Sequence, residues 1–138
     1  KAYLSYINRL IKRLNLKRYI KFDIGWTPSI WMLYYYRASD LYIHTSSTEG
    51  FSLTLLEAIA SGVPVIGNNA SSIPEAIEDP ALLFNSAGEL ADKSIRFLHD
   101  PYLSMEIGVK GFKDIIKRGF TSEDAAKKYL RLYLDVTR

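Results

Sequence analysis

Apolar and polar residues along this chain follow two alternating periods. Tyr3, Leu4, Ile7, Leu10, Ile11 and Leu14 recur at helical spacing, with Arg9, Lys12 and Arg13 on the other face. Ile20-Lys-Phe-Asp-Ile24 alternates with a period of two and stops at Gly25, which predicts a strand. Thr27-Pro28 reads as an N-cap and a first-turn proline opening a helix to about Ser39. Three consecutive tyrosines in it, Tyr34–Tyr36, spread around the axis and predict core plus surface rather than a stacking platform. Leu41-Tyr-Ile-His-Thr45 is β-rich. A helix over Leu53–Ser61 ends at Gly62, and Val63-Pro-Val-Ile66 is a short apolar strand of the kind buried on both faces.

Ile73–Ile77 predicts one helical turn and Ala81-Leu-Leu-Phe84 a last strand. Ala87–His99, Tyr102–Lys117 and Ser122–Val136 predict three helices, the second interrupted by Gly108 and Gly111. Short apolar strands alternating with amphipathic helices imply an α/β fold with a Rossmann-like, doubly wound parallel sheet. In such sheets ligands bind beyond the carboxyl ends of the strands. Thr45–Ser52 lies beyond one such end.

The length of 138 residues is that of one domain, 1–138, with room for a core. The chain has no cysteine, so a disulfide scaffold and thiolate chemistry are excluded. Neither a signal-peptide pattern nor a membrane-length apolar run is present, and a cytoplasmic setting is expected. The first residue is Lys1 rather than Met, and the chain reads as a piece of a longer protein. The net charge of +3 conceals a segregation. Residues 1–22 carry seven basic groups and no acid, whereas residues 38–92 carry eight acids and no Lys or Arg. The candidate site is therefore acidic and the basic stretch lies elsewhere, which argues against nucleic acid as a partner. The basic face of the first helix is read as solvated, with peripheral contact to an anionic membrane as the second reading.

Chemistry concentrates in Ser47-Thr-Glu-Gly-Phe-Ser-Leu-Thr-Leu-Leu-Glu57, where Glu49 and Glu57 are eight residues apart. Glu57 stands among Leu53, Leu55, Leu56, Ala58, Ile59 and Ala60, in a helix that reads as buried nearly all round. A lone carboxylate there needs a partner, and with no Lys or Arg between Arg37 and Lys93 that partner is distant or is a ligand. Ser52 is a credible N-cap, leaving the amides of Leu53, Thr54 and Leu55 without helical partners, a natural anion site. Gly50 allows a ligand close to the backbone, and Glu57, about two turns in, reaches the vicinal hydroxyls of a ribose. A capped turn with Glu57 paired to a distant Lys accounts for the same residues.

His44 reads as a core or site-wall histidine rather than a base, and His99, before Asp100-Pro101, as a helix-end cation. With two histidines and no cysteine, no protein metal site is expected.

The stretch Ala38-Ser-Asp-Leu-Tyr-Ile-His-Thr-Ser-Ser-Thr-Glu-Gly-Phe-Ser-Leu-Thr-Leu-Leu-Glu-Ala-Ile-Ala-Ser-Gly-Val-Pro-Val-Ile66 resembles the donor-binding signature of family 4 glycosyltransferases. These are retaining enzymes of the two-domain GT-B fold. The resemblance continues through Ile73-Pro-Glu75, Ala81–Phe84, Leu90–Asp100 and Phe120–Tyr133, almost the whole chain. It implies the carboxy-terminal half of such an enzyme, without its first strand and its acceptor-binding domain. It further implies that Glu49 is the catalytic carboxylate, contacting hydroxyls of the transferred sugar. The amides of Gly50, Phe51 and Ser52 would line the sugar and phosphate pocket, those of Leu53 and Thr54 would hold the diphosphate, and Glu57 would bind the ribose. Gly25 and Trp26 fall near the nucleobase.

By the same resemblance the substrate is a nucleotide diphosphate sugar, with no cofactor. The acceptor, a glycan, lipid or small molecule, would be held by the absent domain. Ser52 for a frequent Gly, Thr45 for a frequent Pro and Ser122 for an aromatic depart from the family pattern. The family's Arg/Lys pair would precede Lys1, so this piece alone is expected to be inactive. The rival readings are a non-catalytic nucleotide- or sugar-binding module and a GT-B-fold epimerase, the latter disfavoured by the transferase signature.

Overall fold

The computed structural model describes residues 2–23 and 25–137. Seven helices and three strands follow in the order α1 (Ala2–Arg13), α2 (Ser29–Ala38), β1 (Tyr42–His44), α3 (Leu53–Ala60), β2 (Val65–Asn68), α4 (Ile73–Ala76), β3 (Leu83–Phe84), α5 (Ala87–His99), α6 (Pro101–Arg118) and α7 (Ser122–Val136) among the described residues. A 3₁₀ turn over Pro80–Leu82 leads into β3, its first amides capped by Asp79. The sheet is parallel, ordered β1-β2-β3, with Tyr42 opposite Val65, His44 opposite Gly67 and Gly67 opposite Leu83. The fold is thus the α/β architecture with a parallel sheet that the sequence predicts.

Two apolar clusters divide across the sheet by strand alternation. Val65 and Leu83 join Tyr36, Leu55, Ala58, Ile59, Ile73, Ile77 and Ile115 in the larger cluster. Their neighbours Ile66 and Phe84 point the other way and pack with Phe97 of α5. Both crossover helices, α3 and α4, lie over one face, as successive right-handed crossovers in one direction require. The other face is covered by α5, which gives the doubly wound layering.

Two expectations change. Residues Ile20–Asp23 form no strand, and Ile24 lies outside the described residues. An extended segment becomes a strand only with a ladder partner, and among the described residues β1 pairs with β2 alone. The start of α2 shifts by one residue, with Pro28 in the N-cap position rather than Thr27. The tyrosine triplet divides as predicted, with Tyr36 buried and Tyr34 and Tyr35 exposed. Ile11 is the one buried residue of α1 and α7 has none, so both present apolar side chains that this chain does not cover.

The two glycines predicted to interrupt α6 do not break it, because they face α3 and the turn after it. A Cβ on Gly108 would fall 2.1 Å from the Gly62 carbonyl oxygen, and one on Gly111 3.0 Å from Ile59 Cγ2. Backbone cannot retreat as a side chain can, so Gly108→Ala is expected to destabilise the fold by at least about 2 kcal/mol, in spite of its better helix propensity. Gly88→Ala, in the exposed first turn of α5 with only Ser86 Oγ nearby, should be neutral or stabilise by up to about 1 kcal/mol. Urea unfolding of the two variants checks the contrast; equal midpoints would show that α6 does not depend on this approach.

Candidate donor-binding site

The loop from Thr45 to Ser52 leaves the carboxyl end of β1 and enters α3. Ser52 is buried, and its Oγ accepts from the Leu55 amide at 3.4 Å, the N-cap that the sequence predicts. The Leu56 amide donates to the Ser52 carbonyl, while those of Leu53 and Thr54 have no protein acceptor among the described residues. Leu53 is 68% exposed, so the helix tip opens to solvent. The tip therefore presents free donors and the positive end of the helix dipole beyond the carboxyl edge of a parallel sheet.

Glu49 is pinned through its backbone. Its amide donates to Ser71 Oγ at 3.2 Å, and its carbonyl accepts from Ser71 Oγ at 2.6 Å and Ser72 Oγ at 3.2 Å. Ser71 holds a left-handed φ of 56°, a conformation costly for a side-chain-bearing residue, and it does so where it braces Glu49. Asn68, at the end of β2, donates to the Ser46 carbonyl at 3.1 Å and ties down the start of the same loop. Phe51 stacks on Phe120 with ring centroids 5.7 Å apart, and Arg118 lies over the Phe120 ring. The Phe51 side chain is thus a loop anchor, although the residue stays partly exposed.

Glu57 is exposed, which overturns the reading of a helix buried nearly all round. Leu55, Ala58 and Ile59 form the core face of α3, while Leu53, Thr54, Glu57 and Ala60 share its exposed face. The apolar density of the run came from Leu53 and Ala60, which need no burial. Glu57 therefore has no obligatory cation, and no ion pair to it occurs among the described residues. It accepts from the Tyr36 hydroxyl at 3.4 Å and borders an open groove with Ser29, Leu33, Ala60 and Ser61.

Tyr42 connects the two carboxylates. It packs edge-on against Tyr36, with centroids 5.5 Å apart, and its hydroxyl is 3.2 Å from His44 Nδ1. His44 Nε2 is in turn 3.5 Å from Glu49 Oε1. Burial raises the Tyr42 pKa, the Thr54 hydroxyl opposes that shift, and the charges of Glu57 and Glu49 add to it. Gly25 and Trp26 are not brought to this cluster. Trp26 is 86% exposed, and no hydrogen bond or aromatic contact joins it to the loop among the described residues. Tyr36, Tyr42, Ser71 and Ser72 were not assigned to the site from the sequence. Tyr42 and His44 lie two apart on a strand and so share a face, a usable signal; the serine brace spans more than twenty residues and had none.

A match to the group 1 glycosyl transferase family model covers residues 1–114. The chain belongs to the group 1 glycosyl transferases. The N-acetyl-alpha-D-glucosaminyl L-malate synthase of Bacillus anthracis is 36% identical over 104 residues, 72% of this chain and 27% of that protein. A trehalose synthase of Pyrococcus horikoshii is 35% identical over 102 residues, 72% of this chain and 23% of its own length. The chain thus spans about a quarter of these curated relatives.

Among solved structures, sucrose-phosphate synthase from Thermosynechococcus elongatus superposes with a TM-score of 0.85 at 27% identity, over 99% of this chain and 35% of its own. The C-terminal domain of a group 1 glycosyl transferase from Francisella tularensis superposes with a TM-score of 0.74 at 29% identity, over 84% and 62%. These likenesses place this group 1 domain as the carboxy-terminal half of a GT-B fold.

Burial, then the Tyr42 and Glu57 neighbours, pushes the Tyr36 pKa from 10.0 to about 12. The unfolded chain ionises first, so stability is undiminished below about pH 10 and falls as the pH rises to about 12, by up to roughly 2 kcal/mol. Tyr36→Phe should remove that part of the alkaline loss. Melting curves of both proteins across this range test it, and parallel alkaline slopes would count against it.

Proposed function

We propose that this domain binds the donor of a retaining glycosyltransferase, which moves a sugar from a nucleotide diphosphate sugar to an acceptor hydroxyl. The observation carrying the proposal is the solvent-open amide tip of α3, at the carboxyl edge of the sheet and flanked by two carboxylates. In this reading the Leu53 and Thr54 amides hold the diphosphate, with help from the helix dipole. Glu57, exposed one turn further along, accepts from the ribose hydroxyls. Glu49, backbone-fixed on the neighbouring loop, accepts from hydroxyls of the transferred sugar, and the amides of Gly50, Phe51 and Ser52 line the space between.

The chemistry of transfer then rests on stabilising the departing diphosphate. The C–O bond to the diphosphate breaks with its electron pair leaving on phosphate oxygen, and the amide tip meets the charge that develops there. The acceptor oxygen forms the new bond and passes its proton to the departing diphosphate. The acceptor site and the remaining phosphate-binding charge lie in this proposal on parts of the protein outside these residues, which is why the piece alone would be inactive. The nucleotide sugar is a substrate and no cofactor is invoked. A cytoplasmic setting completes the proposal; no helix among the described residues is long and apolar enough to cross a membrane.

Glu57→Gln in the full-length protein keeps the shape and one acceptor oxygen but loses charge-assisted bonds. It should weaken nucleoside diphosphate binding by about ten- to a hundred-fold, or about 1.5–3 kcal/mol. Because Glu57 is exposed, the melting temperature of the unliganded protein should hardly move. Titration calorimetry with UDP, GDP and ADP, beside melting curves, checks both. Unchanged affinity for whichever nucleotide the parent binds would remove the ribose assignment.

A further inference from the structure

The imidazole of His44 has no role in the site as described so far. Its side chain is only 9% exposed, and Nε2 is a buried nitrogen without a hydrogen-bond partner among the described residues. Such a group is costly unless something satisfies it. The nearest acceptor is Glu49 Oε1 at 3.5 Å, just beyond hydrogen-bond reach. Glu49 is 31% exposed, so its carboxylate has room to close the gap while another oxygen lone pair faces solvent.

The tautomer follows from the neighbours. Ser52 Oγ accepts the Leu55 amide and lies 3.2 Å from Thr54 Oγ1, a hydrogen bond that either hydroxyl can donate. The Tyr42 hydroxyl, kept protonated by burial and by the carboxylates around it, is 3.2 Å from His44 Nδ1 and can donate to it. When Nδ1 accepts from Tyr42, a neutral imidazole carries its hydrogen on Nε2, the nitrogen 3.5 Å from Glu49 Oε1. A series of close polar contacts therefore runs from Tyr42 through His44 towards the Glu49 carboxylate.

Resting on the donor-binding reading above, we propose that His44 is a positioning residue whose Nε2–H, oriented by Tyr42, fixes the Glu49 carboxylate for the sugar hydroxyls of the donor. The backbone of Glu49 is already held by Ser71 and Ser72, so His44 supplies the remaining restraint, on the side chain. Its effect falls on the sugar and not on the nucleotide, which the amide tip and Glu57 hold. His44 moves no proton in this role; it selects for a donor that carries its sugar.

Two measurements on the full-length protein test this. Nitrogen-15 NMR of the imidazoles, assigned by comparison with His44→Leu, should show His44 as the Nε2–H tautomer, and Tyr42→Phe should shift it towards a tautomer mixture. Calorimetry should compare UDP, GDP and ADP with their glucose, galactose, mannose and N-acetylglucosamine conjugates. For the conjugate the parent binds most tightly, His44→Leu should lose about five- to ten-fold in affinity, the size of one weak charge-assisted bond. His44→Gln, which retains an N–H donor, should recover part of that loss, and the matching nucleoside diphosphate should bind all variants within about two-fold.

An Nδ1–H tautomer in the parent overturns the proposal, as does an equal loss for nucleotide and conjugate. If the parent binds none of the nucleotides, the donor-binding reading fails and the sugar-selecting role fails with it. In that case the tautomer measurement still decides whether His44 and Glu49 are coupled. Should His44→Leu not fold, Tyr42→Phe carries both comparisons.

Discussion

Leu55, Ala58 and Ile59 are buried along one side of α3, and α6 meets that helix at two glycines that let its backbone come close. This contact fixes where α3 ends. With its core face held by the sheet and by α6, the helix cannot rotate or slide without forcing Gly62 into Gly108 or exposing Leu55. Its amino terminus is thereby set beyond the carboxyl ends of β1 and β2. The free amides of Leu53 and Thr54, the exposure of Glu57 and the path of the Thr45–Ser52 loop are consequences of that placement.

The loop is held to the same standard by a different kind of bond. Three serine hydrogen bonds fix the Glu49 backbone, Asn68 fixes Ser46, and the Phe51–Phe120 contact closes the far side. These partners come from the end of β2 and from the segments that follow β2 and α6. A short polar loop with no regular structure of its own gains its order from the strand ends and helix ends around it. That division between a rigid scaffold and a braced loop suits the role proposed for Glu49.

The two glutamates differ in environment more than their shared motif suggests. Glu57 faces solvent on a helix and touches one tyrosine hydroxyl, whereas Glu49 is half-covered and faces a buried imidazole. Tyr42 feels both charges, and with Tyr36 it forms an aromatic wall between them. Because neither tyrosine ionises below the alkaline range, that wall stays neutral.

The sequence by itself determined the local elements and the chemistry of the motif. The Ser52 cap, the helix stop at Gly62, the buried strand through Val65 and Ile66 and the division of Tyr34–Tyr36 follow from propensities and periods that act within a few residues. Local periodicity could not decide what each apolar residue would meet. Leu53 and Ala60 were indistinguishable from core residues until the sheet and α6 chose one face of α3. Gly108 and Gly111 looked like helix breaks until they were seen to be points of close approach. Ile20–Asp23 carried a strand pattern without acquiring a ladder. Tertiary structure decided these cases, and the serine brace and the His44–Glu49 pairing with them, because each depends on a partner distant in sequence. No local free energy encodes which distant group will arrive.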